Sequence, residues 1–185
     1  KETGVTIMLM DKEIDHGPII ALHVVAIDKD DNAITLSQKL SRVGAEILCE
    51  ILPEWVSGSL KPIEQDHTKA TFTKMITKDN GRVDWHAPAD KILNKMRAYA
   101  EWPKCWTVLE RKTSKIRVII IKAHATNRAS NAVPPGSIIA SKTELLVATS
   151  DYFLAIVELQ PENKKEMPVS AFLRGYTPES TSHFV

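Results

Sequence analysis

The sequence predicts an α/β segment followed by a small β-barrel domain with flanking helices, on three observations. Two apolar, strand-like runs near the start give way to a helix-spaced stripe between residues 36 and 55. Periodicity then disappears over residues 59–78, where polar residues and Pro62 dominate. Five short apolar runs separated by Gly, Pro, Asn and Ser follow within residues 105–159, the pattern of a small closed antiparallel sheet. A chain of 185 residues accommodates one domain or two small ones. The expected division is 1–58, a linker at 59–78, and a second domain at 79–185.

Each element has a local reason. Val5 to Met10 is a continuous apolar run bounded by Gly4 and Asp11, as a buried strand would be. After a loop from Asp11 to Pro18, Ile19 to Ile27 is β-branched enough for a second strand and stops at Asp28-Lys29-Asp30-Asp31-Asn32. Leu36, Leu40, Val43, Ile47, Leu48, Ile51 and Trp55 lie along one side of a helix, with Asp31 or Asn32 as its cap. Pro53 should bend or end that helix near Leu52, and Gly58 closes the segment. Pro88 suits a first helical turn, and Ile92, Leu93, Met96 and Tyr99 continue a helix over about 88–99. The barrel strands are expected at Cys105 to Leu109, Ile116 to Lys122, Ser137 to Ala140, Leu145 to Thr149 and Tyr152 to Leu159, with a last helix near Val169 to Arg174.

The composition, 43% hydrophobic and 25% charged, is that of an ordinary soluble protein and excludes disordered and fibrous classes. No apolar run approaches the roughly 18 residues of a membrane span. Two cysteines, Cys49 and Cys105, are too few for a disulfide framework and point to a reducing compartment. The chain opens at Lys1 with neither an initiator Met nor a signal-peptide pattern, as a piece of a longer protein would. A net charge of +1 conceals an asymmetry. Residues 69–128 hold 14 basic and 5 acidic side chains, a local excess of +9. Such a stretch is either a set of solvated faces or, if its side chains converge, a surface for a polyanion.

Most motif tests are negative. The run Asp28, Asp30, Asn32 begins like a calcium loop, but Ala33 and Lys39 stand where glycine and a bidentate Glu are required. The six histidines form no metal-ligand spacing, and neither a Walker loop, a dinucleotide fingerprint nor a nucleophile elbow occurs. No metal site is visible. In Ile14-Asp15-His16-Gly17-Pro18, Asp15 is either an Asx-type turn or a carboxylate placed where Gly17 lets a ligand approach the backbone. His16 is adjacent to Asp15, and adjacent side chains usually diverge. Trp85, Trp102 and Trp106 either stack bases or pack a core.

The order of Glu2-Thr3-Gly4-Val5-Thr6-Ile7-Met8 and Ile14-Asp15-His16-Gly17-Pro18-Ile19 resembles the folate-dependent formyltransferases, whose catalytic domain is a Rossmann-like sheet with an Asp-x-Gly loop. Gly81-Arg82-Val83-Asp84-Trp85, Pro88-Ala89, Met96-Arg97-Ala98-Tyr99, Trp102-Pro103 and Leu159-Gln160-Pro161 with Lys164-Lys165 and Met167 narrow the likeness to the methionyl-tRNA formyltransferase family. Asn163 stands where that family often carries glycine. The resemblance covers essentially the whole chain. It implies the end of a Rossmann-like domain, then an OB-like barrel that helps hold tRNA. It also implies transfer of the formyl group of 10-formyltetrahydrofolate, as co-substrate, to methionyl initiator tRNA. That chemistry uses an Asn, a His and an Asp.

Only the Asp, matched by Asp15, falls in this chain, so the chain is expected to be inactive alone. Gly17 is the folate-loop candidate. Arg82, Lys91, Lys95, Arg97, Arg117 and Lys122 are the tRNA-contact candidates, chosen by clustering. Two other readings stay open. One is a related formyltransferase or formyltetrahydrofolate hydrolase acting on a small substrate. The other is a non-catalytic nucleic-acid-binding OB-like module. The expected location is the bacterial cytoplasm and the full-length enzyme a monomer. Residues 1–58, read as a parallel-sheet remnant, should pack loosely or self-associate.

Overall fold

The computed structural model describes residues 1–176, 178–179 and 181–185. It divides into two units, 1–75 and 76–185.

In the first unit, β1 (Glu2–Met8) and β2 (Ile19–Ala26) pair from Glu2 against Ala26 to Met8 against Ile19, with a bulge at Ile7 and Met8. The pair is antiparallel, which corrects the expected parallel arrangement. Its connection, residues 9–18, is shorter than the dozen or so residues a parallel crossover needs. β1 also starts earlier than its apolar run suggests and is nowhere fully buried, while Met10 is exposed beyond its end. Apolarity marked the strand, but one helix and one partner strand are too little cover to bury it.

That helix, α1 (Ala33–Ser57), begins with a reciprocal cap: the Asn32 side chain accepts from the Ile34 and Thr35 backbone N–H groups, and Thr35 Oγ1 accepts from the Asn32 N–H. Pro53 does not end it. The helix runs one turn further and closes at Gly58 in the left-handed conformation. The Ser57 and Ser59 hydroxyls and the Gly58, Ser59 and Leu60 N–H groups converge on the Glu54 carbonyl, holding that last turn. The helix rests on β1, where a Cβ on Gly44 would meet Val5 Cγ1 at 3.3 Å. The stripe read from the sequence faces inward except for Leu48.

Part of the expected linker is ordered on this unit. Ile63 and Ile19 exchange both backbone hydrogen bonds at 2.8 Å, and a short 3₁₀ turn at His67–Lys69 is capped by Asp66. The stretch beyond is irregular, with Phe72 and Met75 almost fully exposed.

The second unit holds α2 (Ala89–Ala98), β3 (Cys105–Glu110), β4 (Lys115–Ala129), β5 (Ile138–Ala140), β6 (Leu145–Ala148), β7 (Tyr152–Pro161), β8 (Met167–Pro168), α3 (Val169–Gly175) and β9 (His183–Phe184). The main sheet runs in the order β5-β6-β7-β4-β3-β9, with β8 beside β7. Ser137 bridges to His183, and the Phe184 N–H donates to the Gly136 carbonyl at 2.9 Å, so the sheet nearly closes on itself. Gly136 makes this approach possible: its φ is 85°, and a Cβ there would stand 2.2 Å from the Phe184 carbonyl oxygen. β4 is much longer than its apolar run because bulges opposite β7 let it bend with the barrel.

Inside lie Leu109, Val118, Leu145, Val147, Leu154, Leu159, Phe172 and Phe184. Trp85 belongs to this core: its Nε1 donates to Thr107 Oγ1 at 3.0 Å and its ring stacks on Phe184. The start of α2 is capped from afar, the Ala89 N–H donating to Asp151 Oδ1 at 2.9 Å. Among the described residues no helix is long and apolar enough to cross a membrane.

Candidate functional site

The loop between β1 and β2 is held by polar contacts. Asp15 adopts φ 54°, a left-handed backbone that non-glycine residues rarely take. Asp15 is exposed, and its carboxylate makes no hydrogen bond or ion pair among the described residues. His16 and Asp15 do diverge, as adjacency suggests: His16 Nδ1 donates to Asp11 Oδ2 at 2.6 Å instead. That bond raises the His16 pKa above its ordinary 6.5 and lowers the Asp11 pKa below 3.8. The other His16 face stacks on His67, with ring centroids 3.8 Å apart.

Gly17 is buried, and a Cβ there would lie 1.8 Å from the Leu9 carbonyl oxygen, so packing alone demands glycine. Gln65 closes the loop: its Nε2 donates to the carbonyl oxygens of Asp15 at 3.0 Å and Gly17 at 2.7 Å. Gln65 and His67 were not among the sequence candidates. They fall in a stretch without periodicity, and nothing local marks a partner about 50 residues away.

The second unit gathers several of the cations. Val83 pairs with Trp106 beside Arg82, whose carbonyl accepts from Lys95 Nζ at 2.6 Å. Across the barrel face, the Arg117 guanidinium lies 4.1 Å from the Trp106 ring centroid, an aromatic platform under a fixed charge. Arg117 Nε is buried without a hydrogen-bond partner, and Trp106 Nε1 donates to the Lys78 carbonyl at 2.9 Å. Lys78, Trp102, Arg117, Gln160, Glu162 and Asn163 line an adjacent pocket of about 290 Å³. Trp102 is half exposed there, unlike Trp85, so the three tryptophans divide between core and surface.

Asn163 takes φ 59° and does glycine's conformational work in the turn before Lys164. Gln160 Nε2 donates to the Lys164 carbonyl at 2.9 Å, which fixes the same turn. Lys95 and the Arg82 backbone thus lie beside Trp106, over which Arg117 stacks. Arg97 instead bonds to Asn94 on its own helix. Lys91 and Lys122 are exposed, and no hydrogen bond or ion pair joins them to that cluster among the described residues. No group of three His, Cys, Asp or Glu among the described residues is placed to hold a metal.

The model of the formyl transferase C-terminal domain matches residues 75–177, and that of the formyl transferase domain matches residues 1–52. The chain belongs to the formyl transferase family. A methionyl-tRNA formyltransferase of Caldanaerobacter subterraneus is 40% identical over 182 residues, covering 98% of this chain and 57% of that relative. Another, from Bacillus velezensis, is 39% identical over 177 residues, covering 95% and 54%. A third, from a Roseiflexus species, is 38% identical over 174 residues, covering 94% and 52%. The chain therefore spans about half the length of the curated relatives it matches.

Among solved structures, HypX from Aquifex aeolicus in complex with tetrahydrofolic acid shares the fold at TM-score 0.68 and 18% identity, over 93% of this chain and 30% of that one. An N-formyltransferase from Helicobacter canadensis, in complex with folinic acid and dTDP-3-aminofucose, gives TM-score 0.61 at 18% identity, over 90% and 56%. These two likenesses are likenesses of fold. Within the formyl transferase family, the nearly closed antiparallel sheet of residues 105–184 is the body of the C-terminal domain.

Proposed function

We propose that this chain is the C-terminal part of a methionyl-tRNA formyltransferase, with residues 1–58 ending the Rossmann-like catalytic domain and 79–185 forming an OB-like tRNA-binding domain. The observation that carries the reading is the 38–40% identity to enzymes of that name, which runs through both units at once. In the whole enzyme, the methionyl amine attacks the formyl carbon of 10-formyltetrahydrofolate. A C–N bond forms to the amine, the bond from the formyl carbon to N10 breaks, and the amine proton ends on the departing N10.

Asp15 is the group on this chain for moving that proton. An exposed carboxylate without a partner among the described residues, on a tightly held loop, can accept it from the amine and pass it on. The Asn and His that the family uses for the tetrahedral intermediate lie outside this chain, so the chain alone transfers no formyl group. Gly17, the folate-loop candidate, lets the same loop pack against the Leu9 carbonyl.

Arg82, Lys91, Lys95, Arg97, Arg117 and Lys122 contact tRNA phosphates, which supplies affinity and little sequence information. The Arg117 and Trp106 stack supports a contact at Arg117, because it fixes a half-buried guanidinium over an aromatic ring with no ion pair among the described residues. A formyltransferase with a small acceptor has no use for such a surface.

The test is binding of this chain to methionyl initiator tRNA at about 50 and 200 mM salt, with a sugar nucleotide as competitor. Affinity should fall by roughly three powers of ten or more between the two, as six or more phosphate contacts require. Binding of the sugar nucleotide without tRNA would overturn the reading in favour of a small acceptor.

A further inference from the structure

Gln65 reaches the Asp15 loop from the segment that follows α1 within the first unit. Its amide nitrogen donates to the carbonyls of Asp15 and Gly17 at 3.0 and 2.7 Å, one on each side of His16. Both partners are acceptors, so only the NH₂ end of the amide can occupy this position, and both of its protons are used. One nitrogen thus cross-links the two ends of a three-residue arc. The arc needs such a tie, because Asp15 sits at φ 54° and its own side chain supplies no bond to hold it there.

Other contacts surround the arc. Leu9 blocks it on one side, as the 1.8 Å approach to a Cβ at Gly17 shows. Two residues before Gln65, Ile63 pairs with Ile19 through both backbone hydrogen bonds; two residues after it, His67 stacks on His16. Residues 63, 65 and 67 therefore meet the loop and its following strand in succession, at the period of an extended strand. Gln65 also suits the position chemically. A lysine would bring a cation that could neutralise the Asp15 carboxylate, and a glutamate would turn acceptor oxygens toward two carbonyls.

We infer that Gln65 is a positioning residue for formyl transfer, acting by fixing the Asp15 backbone from the segment that follows the catalytic domain. The inference rests on the reading of Asp15 as the proton-transferring carboxylate. Gln65 touches no reacting atom; it decides whether Asp15 is aimed.

The experiment compares Gln65→Ala, Gln65→Glu and Asp15→Asn in the complete formyltransferase carrying this sequence. Asp15→Asn should abolish turnover. Both Gln65 variants should lose about 100-fold in kcat, the penalty of a misaimed group, with KM for tRNA changed less than about threefold. The acidic limb of their kcat profile against pH should also move, which a mere loss of stability would not produce. Unchanged kcat and pH profile in both Gln65 variants, with Asp15→Asn inactive, overturns this inference alone. An active Asp15→Asn overturns the reading beneath it.

A measurement on the unaltered 185-residue chain covers the case in which the variants fail to fold. NMR couplings across the hydrogen bonds should connect Gln65 Nε2 to the carbonyl carbons of Asp15 and Gly17. Their absence overturns the inference.

Discussion

The two units solve the same problem with unequal means. In residues 76–185 a nearly closed sheet and two helices enclose Leu109, Val118, Leu145, Leu154, Leu159 and Phe172, all at or near zero exposure. In residues 1–75 only Val25 and Ile47 among the hydrophobic residues are buried, while Leu22, Val24, Leu52, Val56 and Ile63 stay open. A closed sheet satisfies its own edges and shields one face completely. A two-stranded hairpin under one helix does neither. The first unit is instead held by discrete polar ties: the Asn32 cap, the Gln65 amide and the Asp11–His16–His67 cluster.

The largest expected effect lies where packing dominates. Phe172→Ala should destabilise the second unit by about 3–5 kcal/mol, because the ring is fully enclosed and leaves a cavity that the barrel cannot collapse into. Ile47→Ala should cost the first unit no more than about 2 kcal/mol, since its site can relax toward solvent. Denaturant unfolding followed by amide exchange separates the two, and equal costs would break the contrast.

A middle-sized effect tests the polar part of the dense core. Trp85→Phe removes the donor to Thr107 Oγ1, whose hydroxyl still donates to the Val185 carbonyl at 2.8 Å. The expected loss is about 1–2 kcal/mol, that of one buried hydrogen bond with a partly satisfied partner. A loss above the Phe172→Ala value would show that this bond, and not apolar packing, organises the barrel.

The smallest effect concerns pH and belongs to the first unit. The folded His16 pKa is raised above 6.5 by Asp11, so its contribution is complete below 6.5 and disappears as pH rises through the raised value. The folded Asp11 pKa is lowered below 3.8 by the same bond, so its contribution holds above 3.8 and disappears as pH falls through the lowered value. Going from about pH 6 to about pH 8.5 should therefore lower the unfolding midpoint of the first unit more than that of the second. Asp11→Asn should remove the difference and return the His16 titration, followed by NMR, toward 6.5. An unchanged His16 titration in that variant would show that the pair does not hold the loop.

Much of the barrel was legible because its reasons are local. Alternating and continuous apolar runs, punctuated by Gly, Pro and Asn, placed β3, β5, β6 and β7 within a residue or two, and α3 within one. The misreadings arose where tertiary contacts outvoted local chemistry. Pro53 was tolerated because Glu54 and the Ser57 and Ser59 hydroxyls hold the turn after it. β4 outran its apolar stretch because β7 offered partners past the bulges. At the candidate site, Asp15 and Gly17 were readable as a carboxylate beside a glycine. The donor that fixes them was not, since a lone Gln in polar sequence carries no local sign of its bond.

By itself the sequence determined most of the helices and the strands β3, β5, β6 and β7, that residues 69–128 carry excess positive charge, and which family motifs are present, because each depends on residues within a few positions of one another; β8, β9 and the length of β4 were not legible. Only the tertiary structure decided that β1 and β2 run antiparallel, that Trp85 packs inside while Trp102 faces solvent, that Arg117 is spread over Trp106, and that Gln65 holds the Asp15 loop. Those outcomes depend on groups far apart in the chain competing for the same space and the same hydrogen-bond partners, and no local pattern encodes which of them wins.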